Sequence, residues 1–222
     1  MLIEPIRILG SSHEVLRDEG GSVTATFLLI RHAAHVHLDR RLSGRMPDVS
    51  LSLAGRTQAA ALGRALAAER IDRLVCSPLE RTRDTAVAIA AGRTTPLEVE
   101  PTEALIEIDM GDWTGATFGT LHGPAWDAWN SQRGSARIPG GETMAEAQAR
   151  IVGFLRDAAK TPGDRTIAVV SHADMIRGAV AQVLGLPLDN VLRFDIAPAS
   201  VSRIVIGDWG MRLISINERM AA

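Results

Sequence analysis

The chain has 222 residues, 46% of them apolar, and a net charge of −2. Such a length suits one domain, since domains run to about 100–200 residues and α/β ones exceed that. The balanced charge gives no electrostatic footprint for nucleic acid or an anionic membrane, and a lone cysteine, Cys76, excludes an internal disulfide. No apolar run reaches bilayer length, and the first residues show no apolar stretch ending in a small-residue cleavage site. A cytoplasmic location is the default expectation.

Residues 1–23 end in Glu19-Gly20-Gly21-Ser22, a turn or linker signal, and read as an extension ahead of a domain over 24–222. Thr26–Ile30 is a continuous apolar run of strand length, as in a strand buried on both faces of a parallel sheet. Residues 33–50 read as a long polar loop, and Ser52 to Glu69 as a helix. Ile71–Cys76 is the next strand, and Pro78 opens a second helix over Leu79–Ala91. Val99 belongs to a short strand. Residues 109–141 are rich in glycine and read as an excursion outside the core, with a short helix at Trp126–Trp129. Thr143 with Glu146 three residues on forms a capping box for a helix ending near Lys160. Thr166–Ser171 is another buried strand, and Met175–Leu184 a helix ended by Gly185 and Pro187. Ser200–Ile206 and Met211–Ile216 pair through a turn at Gly207–Gly210. The alternation predicts an α/β fold. It is a single three-layer domain, a mainly parallel sheet flanked by helices, with an antiparallel edge strand from the final hairpin.

In open α/β sheets, ligands bind beyond the carboxyl ends of the strands. Three predicted strands end in reactive residues: Arg31-His32, then Cys76-Ser77-Pro78 with Arg81 one helical turn on, then Ser171-His172. A parallel sheet brings these ends to one edge. Two guanidiniums offer planar donors for a phosphate and stabilise charge developing on it. A neutral histidine can attack phosphorus covalently, and nearby positive charge keeps His32 neutral. The leaving oxygen then needs a proton, so a carboxylic acid should sit opposite the nucleophile.

The motifs extend beyond those pairs. Leu28-Leu29-Ile30-Arg31-His32 is followed by Ser43-Gly44, Leu53-Ala54-Gly55-Arg56-Thr57-Gln58-Ala59 and Cys76-Ser77-Pro78-Leu79-Glu80-Arg81-Thr82-Arg83-Asp84-Thr85-Ala86. Next come Leu105-Ile106-Glu107, Trp113-Thr114-Gly115, Pro139-Gly140-Gly141-Glu142-Thr143 and Val170-Ser171-His172. This ordered set resembles the histidine phosphatase superfamily, or phosphoglycerate mutase-like family, over roughly residues 25–217. The resemblance implies that His32 is phosphorylated, that Arg31, Arg81 and His172 bind the phosphoryl group, and that Glu107 is the general acid and then the base. Ser43 matches a hydroxyl that contacts phosphate. The family needs no metal or cofactor.

Two positions depart from the pattern. Ala33 stands where the family has glycine, which fits only a backbone without a positive φ there. Leu38 stands where it often has asparagine, so one phosphate donor is absent or supplied by Arg45 or His35. Gly44 and Arg45 join Ser43 as substrate-binding candidates; Arg40 and Arg41 read as a solvated face. Glu103 and Asp109 are alternative acids. Arg83, two residues past Arg81, points elsewhere, toward a surface ion pair. His13, His35, His37 and His122 read as loop histidines, Cys76 as a core residue, and Trp126 and Trp129 as pocket wall or packing.

The expected activity is hydrolysis of a small phosphomonoester through phosphohistidine. Alternatives are a phosphoglycerate mutase and a non-catalytic phospho-ligand binder. The family's true mutases carry a longer segment between Glu107 and the Pro139-Gly140-Gly141 turn, which favours the phosphatase. The expected partner is the small-molecule substrate, with no nucleic acid and no membrane; a homodimer stays open.

Overall fold

In chain order the elements are β1 (Ala25–Arg31), α1 (Leu53–Ala65), β2 (Arg73–Cys76), α2 (Glu80–Ala91) and β3 (Val99–Pro101). Then come α3 (Pro124–Ser131), α4 (Met144–Ala159), β4 (Arg165–Ser171), α5 (Ala173–Leu184), β5 (Ser200–Gly207) and β6 (Gly210–Arg219). The computed structural model describes residues 24–219, so the expectation for residues 1–23 lies outside the described residues.

Successive side chains of a strand point to opposite faces. In β1, Phe27 and Leu29 enter one core while Leu28 and Ile30 enter another. β4 divides the same way, Ile167 and Val169 against Ala168 and Val170. Both faces need apolar side chains, which is why these runs are continuous. Leu62 and Leu66, in and just after α1, and Ala86 and Ile89 of α2 cover one face. Ile151 and Leu155 of α4 and Ile176 and Val180 of α5 cover the other. The three expected layers result.

The sheet order is β3-β2-β4-β1-β5-β6. β3, β2, β4 and β1 run parallel. β5 is antiparallel to β1, and β6 returns antiparallel to β5 at the edge. Register places Arg31 beside Ser171 and Cys76 beside Val170. The three strands therefore end nearly level. Two bonds prolong the pairing past the strand ends: His32 N–H donates to Ser171 O and Ser77 N–H to Val170 O, each at 3.0 Å.

Helix ends differ modestly from expectation. α1 stops at Ala65, and the following residues tighten into three-residue turns, Ala67 N–H to Arg64 O and Glu69 N–H to Leu66 O. α5 begins at Ala173, directly after His172. The capping box of α4 forms fully, with Glu146 N–H to Thr143 Oγ1 at 3.1 Å and Thr143 N–H to Glu146 Oε2 at 2.8 Å.

The excursion needs a correction. Apart from α3 it holds only two single 3-10 turns, Gly111–Trp113 and Phe118–Thr120, yet Met110, Trp129 and Ile138 are buried in the α4/α5 core. Glycines let the chain turn; they do not release its apolar side chains from the need for burial. The long loop 33–50 is also tied to this segment, with Leu42 N–H to Ala116 O at 2.9 Å and Gly115 N–H to Leu42 O at 2.8 Å.

Candidate active site

His32 leaves β1 at the sheet's carboxyl edge and is buried. Its Nδ1 lies 2.8 Å from the Ala33 carbonyl. A carbonyl only accepts, so Nδ1 carries the proton and the Nε2 lone pair is free in the neutral ring. Burial first, then Arg81 and Arg31, hold the His32 pKa well below its ordinary value. Ala33 shows no positive φ, so its methyl group costs no backbone strain. Its N–H donates to Thr85 Oγ1 at 3.0 Å.

Arg81 is buried on the first turn of α2. One terminal nitrogen, Nη2, donates to Gly44 O at 2.6 Å and approaches His172 Nδ1 at 3.3 Å. A guanidinium only donates, so His172 Nδ1 accepts and Nε2–H faces Ser77 Oγ at 2.8 Å. A hydroxyl donates as readily as it accepts, so Ser77 supports either tautomer of His172. Burial, Arg81 and His32 push His172 well below its ordinary pKa too. Arg31 Nη1 donates to Ile196 O at 2.6 Å. Arg31 Nε, Arg81 Nε and Arg81 Nη1 are buried without a hydrogen-bond partner. Buried donors are seldom left so, and these three can each donate to an anion.

Glu107 follows the short turn after β3, with Oε2 3.8 Å from His172 Nδ1. Burial first, then Asp174, push its pKa up to about 7, against Arg81, the Ile108 N–H and Arg31. Arg31 and Arg81 thus neighbour both His32 and Glu107 electrostatically. The alternative acids are elsewhere engaged: Glu103 is exposed, and Asp109 pairs with Arg45 at 3.4 Å.

Arg31, His32, Ser43, Gly44, Arg81 and Glu107 line one cavity of about 300 Å³. Gly44 adopts φ +47°, and a Cβ there would lie 3.1 Å from Met110 Cβ. Arg45 does not line it, a correction to its assignment. Its guanidinium is committed to Glu107 O at 2.8 Å, Asp109, and Glu142 Oε1 at 2.9 Å. Arg41 and His35 line the cavity instead. Burial first, then Arg81 and Arg31, lower the His35 pKa to about 4. Its Nδ1 accepts from His37 N–H at 3.2 Å, which leaves Nε2–H as a free donor. His35 therefore replaces Arg45 as the candidate for the donor lost at Leu38. Trp126 and Trp129 both wall the cavity and pack. Arg83 is exposed, with no ion pair among the described residues. Among those residues, no group of three His, Cys, Asp or Glu side chains can hold a metal ion.

Sequence reasoning passed over Arg133, Asp174 and Arg177, which also line the cavity. Asp174 and Arg177 were accessible in principle, because they begin the helix that follows His172. Arg133 carried no local signal.

The model of the histidine phosphatase superfamily (branch 1) matches residues 27–219. Phosphoserine phosphatase 1 of Hydrogenobacter thermophilus is 33% identical over 194 residues, 86% of this chain and 90% of that protein. A probable phosphoglycerate mutase GpmB of Cronobacter sakazakii is 30% identical over 181 residues, 79% of this chain and 82% of its own. Among solved structures, a phosphoserine phosphatase of Entamoeba histolytica in complex with 3-phosphoglyceric acid has a TM-score of 0.78 at 25% identity, covering 87% of this chain and 97% of that one.

Proposed function

Because the chain belongs to the histidine phosphatase superfamily, we propose that it hydrolyses a small phosphomonoester through a phosphohistidine. The carrying observation is His32 itself: buried, neutral, with its proton on Nδ1 facing Ala33 O, beside Arg31, Arg81 and His172. Nε2 attacks phosphorus as the ester bond breaks, and the departing oxygen takes the proton of Glu107. Arg31 and Arg81 receive the phosphoryl oxygens through donors that have no other acceptor. Water then attacks phosphorus, gives its proton to the Glu107 carboxylate, and releases inorganic phosphate and neutral His32. Ser43, Gly44 and His35 line the floor on which the phosphoryl group sits.

The test is a turnover screen over sugar phosphates, nucleotides, phosphoglycerates and phosphoamino acids. His32→Ala should lose about a thousandfold or more. Glu107→Ala should cost alkyl phosphates about a hundredfold or more and aryl phosphates far less, because a good leaving group needs less protonation. Equal loss on both classes would remove Glu107 from the acid role. Equal turnover by wild type and His32→Ala would end the enzymatic reading. The mutase reading, which the Cronobacter relative favours, requires exchange between phosphoglycerate isomers in place of steady phosphate release.

A further inference from the structure

The cavity holds more positive charge than a phosphoryl group needs. Five arginines line it, Arg31, Arg41, Arg81, Arg133 and Arg177, with three acidic residues, Asp39, Glu107 and Asp174. His32, which lines the cavity, and His172, whose ring centroid lies 5.1 Å from that of His32, are neutral. A phosphate dianion with Glu107 protonated leaves one positive charge unmatched.

That surplus has a place. Asp174 Oδ1 accepts from Arg133 Nη1 at 3.3 Å and from Arg177 Nη1 at 3.1 Å. One carboxylate oxygen is thus shared by two guanidiniums. Arg133 is 9% exposed in its side chain and sits 4.6 Å over the Trp129 ring. An ion pair and a cation–π contact fix its orientation before any ligand arrives. The Nε atoms of Arg133 and Arg177 are buried without partners, the same signature as Arg31 and Arg81 show. Their Nη2 atoms have no hydrogen-bond partner among the described residues either. A ligand anion can take these donors while Asp174 keeps Nη1 of each. Asp174 lies two residues from His172, within about 7 Å along the chain, so the pair is a short reach from the phosphoryl group.

Resting on the phosphatase reading, we infer that Arg133 and Arg177 form a second anion subsite, clamped on Asp174. The substrate is then a phosphomonoester whose alcohol portion carries its own acidic group, a carboxylate or a second phosphate. The group departs with the alcohol, so the subsite holds the leaving group near Glu107.

Calorimetric titration of the His32→Ala protein tests this without turnover. The ligands are 3-phosphoglycerate, glycerol 3-phosphate as the counterpart that lacks the carboxylate, and propane-1,3-diol bisphosphate. The first should bind about tenfold or more tighter than the second. Adding Arg133→Gln should bring that ratio to about one, and Arg177→Gln should do the same if the buried Arg133 variant misfolds. The bisphosphate separates the two acids: tighter binding than 3-phosphoglycerate assigns the subsite to phosphate, weaker binding to carboxylate. Equal affinities for 3-phosphoglycerate and glycerol 3-phosphate, or a ratio unmoved in both arginine variants, would overturn the subsite. Wild-type hydrolysis of both monoesters at equal kcat/KM would sink the subsite and leave the phosphatase standing. A retained binding ratio with no His32-dependent turnover would do the reverse.

Discussion

Burial shifts His32 and Glu107 in opposite directions, and each shift favours the uncharged form. It lowers the imidazole and raises the carboxyl, to about 7 for Glu107. As the proposed acid, Glu107 is available near neutrality and is lost above it, so turnover of alkyl phosphates should fall as pH rises beyond about 7. Stability follows with its own sign. Glu107 holds its proton more tightly folded than unfolded, so its contribution is complete below the ordinary value of 4.5 and disappears as pH rises toward 7. Glu107→Gln removes that loss. Its Tm should exceed that of wild type at pH 8, with the gap closing at pH 5. Histidine titration, which removes stability below 6.5, is common to both proteins and cancels. A gap of the same size at both pH values would contradict the assignment.

At the scale of elements, the loop after His32 is held by the first turn of α1. Ala34 O accepts from Ser52 N–H at 3.0 Å and from Ser52 Oγ at 3.1 Å. Gly55 lets the helix come this close: a Cβ there would lie 1.8 Å from Ala34 O. Backbone on both sides leaves no flexible atom to yield. Gly55→Ala should cost about 1–3 kcal/mol of stability and lower kcat as well, because Ala34 is two residues from His32. Denaturant unfolding and steady-state kinetics read the two effects; unfolding at the wild-type midpoint would show that the loop is not so held. A second clamp sets Glu107. Arg45 and Arg150 both donate to its carbonyl, at 2.8 and 3.5 Å, and both pair with Glu142 beside the start of α4. Arg45 holds Glu107 through its backbone carbonyl.

For the whole molecule, the level ends of β1, β2 and β4 collect cationic groups whose donors lack acceptors. A bound anion should stabilise the entire cooperative unit. Inorganic phosphate at a hundredfold its Kd adds about 2.7 kcal/mol, a Tm rise of roughly 5–10 °C for a domain of this size. Scanning calorimetry against chloride at matched ionic strength reads it. The rise should shrink in Arg31→Gln, and no rise in wild type would mean that the cavity does not gather phosphate.

Local physics made much of this legible from sequence. The continuous run Thr26–Ile30 can be satisfied only by a strand covered on both faces, and Thr143 with Glu146 closes its cap within one helical turn. Strand ends carrying His32, Ser77 and His172 share an edge once the sheet is parallel, so their convergence followed from strand order. Side-chain partnerships across the chain did not. Arg45 looked like a phosphate ligand by its place after Gly44, but its direction is set by Asp109 and Glu142, far along the sequence. Arg133 reaches Asp174 from 41 residues away, and its position depends on how the excursion folds Trp129 into the core. A period or a cap is written in neighbouring residues. The charge lining a cavity depends on which distant segments the packing brings together, and only the tertiary structure decides that.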